Sequence, residues 1–135
     1  MASVHSVWAS TVPSISGTFT PAEWTSAGTM PMPGGFIMVK NDANFLYVAL
    51  DLISDTGNTP GVGDYFWLTF DTDRNAAITP NFDVNYGIYP SLPIKIARQN
   101  YVGPGAWTGI LGGLTTSATA QGFSATPYSA TPHRI

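Results

Sequence analysis

Residues 64–75, Asp-Tyr-Phe-Trp-Leu-Thr-Phe-Asp-Thr-Asp-Arg-Asn, restrict the fold more than any other stretch. Phe66, Leu68 and Phe70 occupy alternate positions, and Tyr65, Trp67 and Thr69 fill the places between them. A period of two is that of a pleated strand, whose side chains point alternately to its two faces. The strand runs straight into Asp71, Asp73 and Asn75, which bring side-chain oxygens at every second position. A packed β-sheet is therefore predicted, with Phe66, Leu68 and Phe70 in its core and an oxygen-rich loop at its end.

The same reading extends along the chain. Short apolar runs alternate with Gly, Pro and Asn, and no long helical period occurs. Strands are predicted near 4–8, 14–19, 35–40, 45–52, 64–71, 82–89, 93–98 and 106–111. Lys40-Asn41-Asp42-Ala43-Asn44 is a tight connection, so 35–40 and 45–52 should form an antiparallel hairpin. In that hairpin Leu46, Val48, Leu50 and Leu52 are expected to face the core. Met30 to Gly35 and Ser54 to Asp64 read as irregular, and the Ser-Ala-Thr triplets of 117–131 read as a long loop or weak edge strands. One helical turn is predicted at 20–24: Thr20 at the N-cap, Pro21 at the first helical position and Glu23 at the third make a capping box. Trp24 should plug one end of the core. The fold class is all-β, an antiparallel β-sandwich of the immunoglobulin-like or jelly-roll-like kind, in a single domain spanning 1–135.

Composition excludes several function classes. Charged residues are 10% of the 135, against roughly 25% in an ordinary soluble domain. The surface must then be built from Ser, Thr, Asn, Gly and backbone, and such a surface favours self-association. The net charge of −3, with five scattered cations, argues against nucleic acid or an anionic membrane as partner. There is no cysteine, hence no disulfide or thiolate metal site. No apolar run reaches the roughly 18 residues that cross a bilayer, and the first residues have neither the basic nor the apolar region of a signal peptide.

Two constellations carry chemistry. Asp71, Asp73 and Asn75 form a D-x-D-x-N run, the spacing with which calcium loops offer hard oxygen ligands. It is not an EF-hand, because Ala76 stands where glycine is required and Phe82 where a bidentate glutamate should be. Asp83, with Asp64 and Asp51, is a candidate to complete such a site; the simpler reading is a turn in which Asp and Asn bond their own backbone. The second constellation is aromatic. Trp107, Tyr101, Tyr89, Trp67 and Tyr65 are flat rings on which the C–H faces of sugars stack, and Arg98, Gln99 and Asn100 would bond hydroxyls. Trp107, flanked by Gly and Pro, is expected on a displayed loop. His5 and His133 read as a chance pair rather than a copper or zinc site, and Glu23 is explained by its capping box. No G-x-S-x-G, G-x-G-x-x-G or P-loop occurs.

Ile15-Ser16-Gly17-Thr18-Phe19 followed by Glu23-Trp24 resembles the opening of the family 9 carbohydrate-binding-module-like domains, which are related to DOMON domains. Val39 to Asp51 resembles the hairpin of that family, and 64–75 its aromatic strand and acidic loop. The likeness covers roughly residues 15–90 and the last few residues. Pro132-His133-Arg134-Ile135 resembles the opening of a family strand, so the chain reads either as a domain short of one or two closing strands or as one whose N-terminal strand covers that edge. The resemblance implies a secreted, non-catalytic module that binds a polysaccharide or oligosaccharide and holds a structural calcium. Two other classes stay open: a self-assembling domain that pairs or swaps edge strands between copies, and a glycoside hydrolase using two of Asp51, Asp64, Asp71, Asp73 and Asp83. The last requires carboxylates about 5–9 Å apart across a cleft.

Overall fold

A computed structural model describes residues 4–58, 66–88, 96–111 and 122–135. The structure is all-β apart from one short helix, and its strands pair almost wholly antiparallel. The chain divides into two compact units, Met1–Thr59 with Ala120–Ile135, and Pro60–Thr119.

In the first unit β3 (Gly35–Asn41) is the hub. The predicted hairpin forms: β3 pairs antiparallel with β4 (Leu46–Asp51), in register from Phe36↔Asp51 to Asn41↔Leu46. Its turn is closed by the Asp42 carboxylate, whose Oδ1 accepts the backbone N–H groups of Asn44 (2.7 Å) and Phe45 (2.8 Å). The other oxygen accepts the Tyr47 hydroxyl at 2.6 Å. The Tyr47 bond is the chief cause, with the two backbone bonds, holding the Asp42 carboxyl below its ordinary 3.8. A carboxyl depressed in the folded state supports the turn above the ordinary value and loses that support only as pH falls through the lower one. The Asn44 and Phe45 amide resonances are therefore expected to hold their positions in an NMR titration until the pH is below 3.8.

The other edge of β3 pairs with β2 (Gly28–Met32) and then, in parallel, with β1 (Val7–Trp8). The last three residues of β2, Met30 to Met32, lie in the segment read as irregular. Pro31 misled that reading, yet proline is tolerated on an edge strand, where its missing donor costs no ladder bond. Pro33 and Gly34 are the central pair of the β2–β3 turn, and Gly34 has the φ of +82° that the second position of such a turn demands. The predicted strand at 14–19 does not form.

The helix α1 (Pro21–Trp24) is where it was expected, but the capping box is not made. Thr20 gives no side-chain cap, and Glu23 Oε2 instead accepts the Ser14 N–H at 3.2 Å. Trp24 is buried as expected, in a core with Ala9, Met38 and Tyr47, against which Phe19, Ala27 and Ala49 pack. The face of β4 in that core is thus Tyr47 and Ala49, not the aliphatic face containing Leu46, which is 48% exposed. Burial follows satisfied polar ends here: Tyr47 has Asp42, and the buried Lys40 ammonium on the same face donates to the Glu23 carbonyl at 2.7 Å.

The C-terminal residues of this unit form a hairpin, β9 (Phe123–Thr126) with β10 (Ser129–Arg134), so Pro132, His133 and Arg134 sit in a paired strand. A bridge from Leu52 to Arg134 joins the hairpin to the end of β4, and Tyr128 stacks on Phe36 with ring centres 4.4 Å apart.

The second unit is an antiparallel meander of β5 (Phe66–Phe70), β6 (Val84–Ile88), β7 (Ile96–Gly103) and β8 (Ala106–Leu111). Pro104 and Gly105 make the β7–β8 turn, with Gly105 at φ +69°. Phe66, Leu68 and Phe70 share a face and are half-buried rather than deeply buried; Phe70 meets Tyr86 edge to face at 5.6 Å. Phe82, expected to alternate into a strand, precedes β6 and is 58% exposed.

Candidate functional site

The strand register sorts the aromatic candidates. Directly paired residues in a sheet place their side chains on the same face. One row runs Trp67, Gly87, Ala97, and the next runs Thr69, Asn85, Gln99, Gly109. A third joins Tyr101 to Trp107. One face of the second unit therefore carries Trp67, Gln99, Tyr101 and Trp107 together. Tyr101 and Trp107 pack with ring centres 4.9 Å apart at 54°. Trp107 lies on β8, half-buried, rather than on the displayed loop expected from its Gly and Pro neighbours. The indole of Trp67 lies over Gly87: a Cβ added there would stand 2.7 Å from the ring. Glycine opposite tryptophan is thus the local requirement for a ring laid flat on the sheet.

Arg98 departs from the cluster that its sequence neighbours suggested. Strand alternation puts Arg98 and Asn100 on the opposite face, paired with Tyr86 and Val84, while Gln99 and Tyr101 stay with the aromatic face. Tyr89, Tyr65 and Asp64 lie outside the described residues. The polar groups in these rows are neutral: Thr69, which donates to Oδ1 of the buried Asn85 at 2.5 Å, Asn85 itself, and Gln99. With strands about 4.8 Å apart and about 3.4 Å per residue, Trp67 and Trp107 are separated by roughly 14 Å across the sheet and a similar distance along it.

The acidic residues of the β5–β6 connection do converge. Carboxylate oxygens of Asp71, Asp73 and Asp83 lie within 4.8 Å of one another. Asp83 is buried, and its two oxygens accept the backbone N–H groups of Thr72 (2.9 Å) and Thr79 (2.6 Å). Asp71 accepts from Asn75 (3.2 Å) and Ala76 (2.8 Å). The Ala76 bond is the main cause holding the Asp71 carboxyl below its ordinary value, with smaller help from Asp73, Arg74 and Asn75. The aspartates of the D-x-D-x-N run thus close their own loop, and Asp83 lies beside them in one cluster. Asn75 is oriented as a brace rather than as a ligand. Its amide NH2 faces Asp73 and Thr79, and its oxygen accepts the Ala77 N–H at 2.7 Å. The loop turns through Arg74, Ala76 and Asn81, all at φ between +59° and +67°.

Asp51 does not join this cluster. It belongs to the first unit, where His133 Nε2 bonds Asp51 Oδ1, Thr126 donates to Oδ2 at 2.7 Å, and His133 Nδ1 meets the Thr131 carbonyl at 2.6 Å. The His133 ring is thus clasped between the Asp51 carboxyl on its Nε2 side and the Thr131 carbonyl on its Nδ1 side. Asp51 and His133 are fully enclosed, so neither ring nor carboxylate is open to a substrate. Arg134 adds a bond to Asp55 at 2.8 Å. The sequence reading missed this clasp because its members lie 82 residues apart and no local pattern joins them. No helix among the described residues is long and apolar enough to cross a membrane.

Comparison with known proteins gives no match to a family model, to a curated protein or to a solved structure.

Proposed function

We propose that this chain is a non-catalytic carbohydrate-binding module of a secreted protein, and that the aromatic face of β5–β8 is its binding surface. The observation that carries this reading is the gathering of Trp67, Gln99, Tyr101 and Trp107 on one face of one sheet. Flat rings offer stacking area for sugar C–H patches, and the amide and hydroxyl of Gln99 and Thr69 suit hydroxyl groups. The resemblance of residues 15–90 to family 9 carbohydrate-binding-module-like domains points the same way. The fold alone would not, since β-domains host many functions. A panel of immobilised polysaccharides, probed with the wild type and Trp107→Ala, tests the reading.

A structural calcium in the β5–β6 connection belongs to the same proposal. Calcium takes oxygen ligands at 2.3–2.6 Å, so ligands on opposite sides of the ion stand about 5 Å apart. The oxygens of Asp71, Asp73 and Asp83 fit within that span, and each retains acceptor capacity beyond its backbone bond. The set is Asp71, Asp73 and Asp83, with Asn75 outside it. Calcium at a hundredfold excess over its dissociation constant is expected to stabilise the protein by about 2.7 kcal/mol. Differential scanning calorimetry with calcium and then with chelator should show the melting temperature rise and return, and Asp73→Asn should abolish the rise. An unchanged melting temperature in the wild type would remove calcium from the proposal.

A further inference from the structure

We infer, resting on the glycan reading of the β5–β8 face, that its ligand is a long, uncharged polysaccharide chain held along its length, with one stacking position at Trp67, another at Tyr101 and Trp107, and the Gln99 amide between them. The strand register sets the spacing. Trp67 on β5 is in line with Ala97 and Leu111, so Trp107 on β8 stands three strands away and four residues out of line. The diagonal between the two tryptophans is about 20 Å at ordinary strand spacing and rise. A monosaccharide or disaccharide can lie on one position but cannot reach the other. Only a chain of several sugars covers both.

What lies between suits such a chain. Gly87, Ala97 and Gly109 raise no large side chain between the rings, and Thr69 and Gly109, at the two ends of the intervening row, are exposed. The Gln99 amide reaches over Gly109, where an added Cβ would stand 3.9 Å from its Nε2. Among the described residues no group bonds that amide, which leaves its donors and acceptor for hydroxyls. Charge argues against an anionic glycan. No Lys or Arg stands in these rows, and their margin is acidic: Asp83 flanks Tyr101, whose N–H donates to the Asp83 carbonyl at 3.0 Å. Rings spread along a sheet stack on the C–H faces of successive sugars and use no group special to a chain end.

Two positions bridged by one ligand reinforce each other, by about a hundredfold or more when the link is short. Isothermal titration calorimetry of the intact chain with cello-, manno- and xylo-oligosaccharides, from disaccharide to hexasaccharide, tests this. In at least one series the affinity should climb by about that factor with length and then level off. Trp67→Ala and Trp107→Ala should each remove the climb. Borohydride reduction of the chain end and added sodium chloride should leave the hexasaccharide affinity unchanged. A disaccharide bound as tightly as the hexasaccharide, a loss of binding on end reduction, or a fall in affinity with salt would overturn the inference and leave the glycan reading standing. Binding to none of the three series would also overturn it, and the immobilised panel would then show whether the glycan reading falls with it.

Discussion

Replacing Asp51 by alanine is expected to destabilise the first unit by about 3–5 kcal/mol, the range found when one partner is removed from a buried ion pair. The cost is large because three losses coincide. His133 Nε2 loses its buried partner, Thr126 loses the oxygen it donates to, and the space of the carboxyl group is left unfilled. All of this happens where water cannot substitute, because Asp51 and His133 are both 0% exposed. For a unit of this size each kcal/mol corresponds to about 4–8 °C, so the melting temperature should fall by on the order of 12–40 °C. His133→Ala should cost a similar amount, since it strands the carboxylate instead. The pair does not have to be a net stabiliser for this to hold: swapping both residues for leucine should recover much of the loss, as it does for other buried pairs. Urea denaturation of the single and double variants measures all three. A change below about 1 kcal/mol for Asp51→Ala would show that water reaches the pair.

How much of this was readable beforehand depended on the range of the interaction. Local alternation located β3, β4, β5, β6 and β8 because each carries its own period-two pattern. The Asp42 turn was equally local, and so was the α1 turn with its Pro21. What failed had a distant cause. Nothing near Leu46 or Tyr47 says which face of β4 is covered; that depends on Trp24 and Ala9 arriving from elsewhere in the chain. β2 was hidden by Pro31 and Pro33, and the β9–β10 hairpin by side chains too small to signal a strand. The hairpin is held by Asp51, Phe36 and Asp55, all contributed by residues at least 70 positions earlier.

The candidate sites divide along the same line. Asp71 and Asp73 announce themselves by spacing, and Asp83 joins them because β6 returns beside β5. The aromatic candidates were chosen by residue type, and their grouping was misjudged. Arg98, Gln99, Asn100 and Tyr101 are neighbours in sequence and alternate on a strand, so only Gln99 and Tyr101 share a face with Trp107. Trp67, 40 positions before Trp107, comes to the same face through the register of four strands.

The aromatic face yields the second large effect. Truncating a ring at the centre of a binding surface costs about 2 kcal/mol or more, roughly a thirtyfold loss of affinity. Trp107→Ala removes both its own ring and the surface against which Tyr101 packs, so it should lose at least that much. Trp67→Ala should lose a comparable amount, and Gly87→Ala should lower affinity without removing any ring, because the added methyl lifts the indole from the sheet. Arg98→Ala, on the other face, should bind as the wild type does. The most direct measurement is affinity electrophoresis of these variants through gels containing a panel of polysaccharides. The expected result is retardation of the wild type and of Arg98→Ala by at least one polysaccharide, with retardation lost in Trp67→Ala and Trp107→Ala. Migration of the wild type unaltered by every polysaccharide, or retardation that survives both tryptophan substitutions, would contradict it.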